Sequence, residues 1–306
     1  GAAHCRGGGG GGGRMGAAIP GEGGGDVGLG SRVNFEPPVT IAMTDDGTGL
    51  YAATIPGQAA NTLMRFQVMA TGAGGVMRYP RADDSVAWEG TKVADPALTS
   101  SLPILHWYVD PNDYADALAH FLTDELEPAL IFFDGRLYDN VQFRCRGQTS
   151  RHWSKKHWKL HFARAHEFND PQRMPLALDQ CDLVSPFSDK AYLREVLSQE
   201  TLRDVGAPHA SAYQVRVQQN GAFYGLYTLR MGADDDYLTY NGLSQAGAWY
   251  KAYSTGQYLA VQHLPSYYQK RTRLHEGFQD LHDLFYALHN LTGQARHDYL
   301  FENFDL

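Results

Sequence analysis

The sequence predicts an α+β protein, a small β-sandwich-like module followed by a larger mixed domain. Three observations carry this. Short alternating segments punctuated by turns fill Val33 to Arg81, a strong hairpin signal sits at Asn220-Gly221, and helical spacing takes over after Tyr267. A chain of 306 residues with 43% hydrophobic content can bury one sizeable core, or a modest domain plus a small one. Charged residues make up 20% of it, and no apolar run approaches the ~20 residues of a membrane-spanning helix. A collagen, a coiled coil and a transporter are excluded. A net charge of −8 argues against nucleic-acid binding over the whole surface.

The elements follow in order. Fifteen of the 33 glycines lie in residues 1–30, including the run Gly7 to Gly13. Such a segment buries too little apolar surface to offset its backbone entropy, so residues 1–32 are expected to be a disordered tail. The chain starts without Met or a cleavable apolar segment, and its start reads as internal to a longer polypeptide or artificial. Residues 33–82 form the β module, with strands expected at Val39–Met43, Leu50–Ile55 and Thr62–Thr71 around the turns Asp45-Asp46-Gly47 and Pro56-Gly57. These motifs resemble fibronectin- or immunoglobulin-like modules of secreted bacterial proteins, which implies a spacer or a carbohydrate binder, with the spacer as the expectation. Asp45 and Asp46 read as a solvated turn.

Residues 83–101 are polar and turn-rich and read as a linker to a domain at 102–306. That domain opens with a strand at Leu102–Val109. A helix at Tyr114–Leu122 follows, capped by Asp110 or Asn112. Strands are expected at Ala129–Phe133 and Leu137–Arg146 around Asp134-Gly135, then at Trp158–Phe162. Tyr192, Leu193, Val196, Leu197, Leu202 and Val205 have helical spacing between Asp189 and Gly206. Ala212–Gln219 and Phe223–Leu229 alternate around the two-residue turn.

Residues 144–164 concentrate the chemistry. They hold seven Arg or Lys and no acid, which leaves 19 basic against 34 acidic residues elsewhere. One cationic patch on an acidic protein points to a local anion site. Arg146-Gly147 beside Ser150 combines a guanidinium, a permissive backbone and a hydroxyl, groups suited to phosphate oxygens. On a strand at 155–162, Lys156 would share the inward face of Trp158, Leu160 and Phe162, with Lys155 and Lys159 on the other face. An inward lysine needs an anionic partner, and an internal Asp or Glu would serve as well as a ligand. Arg144 and Arg146 should lie opposite Val141, Phe143 and Cys145.

The segment V-Q-F-R-C-R-G-Q-T-S-R-H-W-S-K-K-H-W-K-L resembles the signature of the spore-coat CotH kinase-like family. Asp189-Lys-Ala-Tyr-Leu-Arg194 with Val205-Gly-Ala-Pro208, the hairpin from Val215 to Tyr227, and Ala248-Trp-Tyr-Lys-Ala252 resemble later family elements in order and spacing. The resemblance implies a protein-kinase-like fold and a secreted or cell-surface location. It further implies ATP-dependent phosphorylation of Ser or Thr in protein substrates, with Mg²⁺. Lys156 would resemble the phosphate-binding lysine, and Arg146, Ser150 and Lys159 would line the same cofactor site. The alternative in the same family is a non-catalytic surface adhesin that binds a receptor.

Two departures stand out. Arg230-Met231 occupy the place where the family hairpin turns acidic. The family's N-W-D and P-W-D-x-D elements, which carry its metal and catalytic aspartates, do not occur in these residues. They are expected beyond Leu306, so the domain reads as truncated at its C-terminus, without catalytic aspartates, and as inactive by itself.

No metal ligands are expected. On a strand His157 and His161 would be ~13 Å apart, and His275, His282 and His289 recur at ~10 Å steps on a helix. Asp234-Asp-Asp236 lacks EF-hand spacing and reads as a solvated turn. The patch with Trp153 and Trp158 raises nucleic-acid binding, which the acidic remainder disfavours. Cys5, Cys145 and Cys181 lack metal spacing and allow at most one disulfide.

Overall fold

A computed structural model describes residues 3–6, 13–18, 26–253 and 259–303, the first two segments by backbone alone. They divide into two compact units, residues 1–237 and 238–306.

The first unit begins with strands β1 (Ala3–Arg6), β2 (Gly13–Ala18), β3 (Asp26–Val33), β4 (Val39–Ala42), β5 (Thr44–Asp45) and β6 (Leu50–Ile55). They are followed by β7 (Leu63–Gly72), β8 (Gly75–Tyr79) and β9 (Glu89–Lys92). One sheet has the order β1-β2-β6-β5; the other runs β4-β3-β7-β8, with β9 also on β7. Val27, Leu29, Ile55, Met64, Phe66 and Val68 form a core between them.

Two expected boundaries shift here. Residues 26–32, placed in the tail by composition, form most of β3, whose Leu29 is fully buried. Glycines hid this strand, because Gly30 is there for close packing: a Cβ would stand 2.9 Å from Gln67 Cγ. Residues 3–6 and 13–18 of the expected disordered tail are also strands, β1 and β2, while residues 1–2, 7–12 and 19–25 lie outside the described residues. The stretch expected as linker contributes β9, and Asp139 accepts the amides of Ala87 and Trp88 at 3.1 and 3.0 Å.

Beyond it come β10 (Ile104–Tyr108), α1 (Pro111–Ala119), β11 (Glu127–Phe133), β12 (Arg136–Arg146), β13 (His157–His161) and β14 (Gln180–Val184). Then follow α2 (Arg194–Asp204), β15 (Ala212–Gln219) and β16 (Ala222–Met231). Seven of these strands close a barrel in the order β10-β11-β12-β13-β14-β16-β15. All neighbours are antiparallel except β10 and β15, whose parallel pairing closes the ring.

Alternation sets the interior. Val141, Phe143, Trp158, Leu160, Cys181, Leu183, Val215, Val217, Tyr227 and Leu229 are all buried. Trp107 meets Phe143 and Trp158 edge-on, with ring centroids 5.0 and 5.3 Å away. Helix α1 is tied to the barrel residues by Tyr114, whose hydroxyl lies 3.0 Å from that of Tyr224, itself the acceptor of Trp158 Nε1 at 3.0 Å. Asp110 caps α1 by accepting from the Asn112 amide at 2.9 Å. The β15–β16 turn has positive φ at both Asn220 and Gly221, as a tight hairpin requires.

The second unit holds the last half of the short α3 (Asp235–Tyr240), a ribbon of β17 (Tyr250–Ala252) and β18 (Tyr268–Lys270), α4 (Gln279–Asn290) and α5 (Gly293–Asn303). Leu264, Tyr268, Leu281 and Phe285 make its core. Among the described residues, no helix is long and apolar enough to cross a membrane.

Candidate functional site

The charged residues lie on the outer face of β12, β13, β14 and β16. The register aligns Arg144 with Lys159, Lys159 with Asp182, and Asp182 with Arg230. One row of side chains therefore crosses four strands on the face opposite the aromatic interior. The expected opposition of Arg144 and Arg146 to Val141, Phe143 and Cys145 is what this register produces.

Asp182 is the centre. Its side chain is 1% exposed, with Arg146 Nε at 3.0 Å and Lys159 Nζ at 3.6 Å from Oδ1, and Arg230 Nη2 at 2.9 Å from Oδ2. Oδ1 receives no aligned hydrogen bond among the described residues, so its two contacts are purely electrostatic. Arg230 Nη1 donates to Glu195 of α2 at 2.7 Å, and Lys159 Nζ donates to Gln180 Oε1 at 2.8 Å. Burial alone would raise the Asp182 pKa, but Arg146, Lys159 and Arg230 outweigh it and hold the carboxyl below its ordinary value. Burial lowers the Arg146 pKa against the pull of Asp182. For Arg230, Asp182 and Glu195 together overcome burial and raise it. Counted by direct contact, three cations thus face two carboxylates, and Asp234, close to Lys159 but not paired with it, is a further acid nearby.

Next to Arg146 the backbone turns at Gly147, whose φ of +110° only glycine adopts readily. A Cβ there would stand 2.1 Å from Ser150 Oγ. Arg151 pins this turn by donating from Nε to the Gly147 carbonyl at 2.9 Å, and its Nη2 pairs with Asp124 at 2.5 Å. His157, cross-strand from Arg146, accepts the Ser185 amide on Nδ1 at 2.7 Å. Burial, then Arg146 and Arg230, push its pKa down to about 4, so the ring is neutral at pH 7.

The four residues singled out from sequence have different fates. Arg146 and Lys159 meet on Asp182, and Ser150 lines the turn after Arg146. Lys156 does not take the expected inward position, because β13 begins only at His157. It donates to the Arg151 carbonyl at 2.5 Å and lies 4.2 Å over the Phe121 ring. Sequence reasoning missed Asp182, Glu195 and Arg230 as cluster members. The available signals were a lone acid on the apolar strand Q-C-D-L-V and an arginine where family hairpins are acidic.

A second group lies beyond the ends of β14 and β16. Extending their register places Asp179 opposite the turn after Met231. Asp179, Asp234 and Asp236 each offer a carboxylate oxygen, and these lie within 4.8 Å of one another. The expected solvated turn is corrected here, since Asp234 is only 9% exposed. Burial, reinforced by Asp179 and Asp236 and opposed by Lys159, pushes its pKa up to about 6. Asp236 accepts the Asp179 amide at 3.4 Å. Both described cysteines, Cys145 and Cys181, are buried free thiols whose pKa burial raises.

The family model of the CotH kinase protein matches residues 143–306. The chain belongs to the CotH kinase family. The matched span begins within β12 and includes every member of the Asp182 cluster and of the Asp179–Asp236 group. No curated protein matches the chain. Family membership suggests a kinase-like function for a fold of mixed α/β content built on a seven-stranded barrel.

Proposed function

We propose that the outer face of the barrel binds the phosphate groups of ATP, within a protein-kinase-like domain that phosphorylates Ser or Thr of secreted or cell-surface proteins. One observation carries this reading. Arg230 on a strand pairs with Glu195 on a helix at 2.7 Å, beside Arg146 and Lys159. Kinases place such a strand-cation and helix-glutamate pair next to the nucleotide phosphates. The donor set fits phosphate, since the three side chains are 14–25% exposed and carry more positive charge than their acidic partners cancel. When bound, ATP supplies the γ-phosphoryl group and Mg²⁺ neutralises charge on its oxygens. Within the chain, Arg146 and Lys159 would face the phosphates, Ser150 would offer a hydroxyl from the adjoining turn, and Glu195 would orient Arg230. The N-terminal sheets would act as a spacer module.

Thermal unfolding of the full chain with and without Mg-ATP tests the reading. Nucleotide should raise the midpoint by about 3 °C or more, and Arg146→Gln with Lys159→Met should lose that rise. No rise in the wild type would overturn it.

The second reading is a non-catalytic surface adhesion or binding protein on the same fold. Its supporting observation is that Arg146, Lys159 and Arg230 each already have a carboxylate partner. It predicts no response to ATP and retained binding of a surface receptor after Lys159→Met.

A further inference from the structure

We infer that Asp179, Asp234 and Asp236 form a binding site for a hard divalent cation of the calcium, magnesium or manganese class. Three carboxylate oxygens lie within 4.8 Å of one another. Oxygens on opposite sides of a cation with ~2.4 Å bonds are separated by about that distance.

Acidic residues crowd together on many surfaces without binding anything, so Asp234 decides the matter. It is 9% exposed, and both its oxygens are buried without a hydrogen-bond partner among the described residues. A buried carboxylate left bare is costly. Its position just before α3 would suit a helix cap, and the Tyr237 amide does exert a small stabilising influence on it. That amide makes no aligned hydrogen bond to either oxygen. Lys159 is near but committed, with its ammonium on Gln180 and Asp182. A proton could neutralise Asp234, but the resulting hydroxyl would itself need an acceptor. A divalent cation satisfies Asp234, Asp179 and Asp236 together.

The backbone leaves room for this arrangement. A Cβ on Gly232 would stand 2.3 Å from Asp234 Oδ2 and 3.3 Å from Lys159 Nζ. Glycine therefore allows the carboxylate to fold back beside the strand end. Asp179 precedes β14 and Asp234 follows β16, so an ion would clip together two neighbouring strands just past their last paired residues. This differs from the phosphate reading in ligand and in residues, and nucleotide plays no part in its test.

The experiment is thermal unfolding of the full chain, freed of metal by chelation, against Ca²⁺, Mg²⁺ and Mn²⁺ separately at millimolar concentration. At least one ion should raise the midpoint by about 3 °C or more. Asp234→Asn should remove that response while leaving the metal-free midpoint unchanged or higher, because it deletes a buried unpaired charge. Should Asp234→Asn fail to fold, the exposed Asp179→Asn should weaken the response at least tenfold in ion concentration. Failure of all three ions to shift the wild type would overturn the site, as would an undiminished response in both variants.

Discussion

Replacing Asp182 with Asn keeps the shape of the side chain and deletes the charge on which three cations lean. The carboxylate is 1% exposed and meets Arg146, Lys159 and Arg230 at 3.0, 3.6 and 2.9 Å. Each contact is worth about 4 kcal/mol or more before desolvation, at the effective dielectric that suits such sites. Desolvation and repulsion among the cations consume most of that sum. Breaking a buried pair by removing one partner costs about 3–5 kcal/mol. Three stranded cations place Asp182→Asn in the upper part of that range, while their 14–25% exposure lets them rehydrate and sets the ceiling. Arg146→Gln should be far milder, about 1–2 kcal/mol, because Asp182 keeps two cations and the surplus charge falls. Urea unfolding followed by tryptophan fluorescence reads the difference, since Trp107 and Trp158 lie inside the barrel. With a slope near 3 kcal/mol/M, Asp182→Asn should move the midpoint down by more than 1 M. A loss no larger than that of Arg146→Gln would refute the reasoning, because Asp182 would not then be the counter-charge of the cluster.

Acid should weaken the fold through His157. Its folded pKa of about 4 lies below the ordinary value of 6.5, so the unfolded chain binds more protons between those values. Stability is then complete above pH 6.5 and falls by up to about 3 kcal/mol as pH drops to 4; thermal midpoints of wild type and His157→Gln should converge across that window. Gly147→Ala forces a side chain onto φ +110° and against Ser150 Oγ, and calorimetry should register a loss of about 1–3 kcal/mol. Phe143→Ala empties a fully buried site beside Trp107 and Trp158, with an expected cost of about 3–5 kcal/mol in urea.

Local pattern carried far in some places and no distance in others. The β15–β16 hairpin was legible because alternation and an Asn-Gly turn sit within twenty residues of each other, and the Asp110 cap because its partner is two residues away. The parallel pairing of β10 with β15, which closes the barrel, joins segments about a hundred residues apart and leaves no local trace. Strand β3 was hidden by the glycines that let it pack. Lys156 lies one residue before β13, so a strand starting at His157 leaves it outside the alternation that holds for Trp158 and Leu160. The apolar spacing of α2 is real, yet no residue of that helix is buried and Leu197 is 53% exposed. Asp234 looked like a turn residue because its burial depends on where β14 and β16 end.

The charge of segment 144–164 is the point at which sequence and structure interpret each other. A run of seven cations without an acid predicted an anion, and the nearest anions belong to the protein itself. Asp124 pairs with Arg144 at 2.8 Å and with Arg151 at 2.5 Å, and Asp182 takes Arg146 and Lys159. Each of these carboxylates is shared by more than one cation, so internal pairing reduces the positive charge without cancelling it. Arg230 enlarges the surplus at Asp182, and Glu195 restores the balance to one excess cation among the groups in direct contact, with Asp234 near Lys159 but unpaired with it. A cluster serving stability alone gains nothing from an unbalanced cation, because like charges repel across a partly buried face. An incoming phosphate would relieve that repulsion. Arg146→Gln should therefore separate two quantities that a purely structural ion pair would move together, costing little stability while removing most of the response to nucleotide.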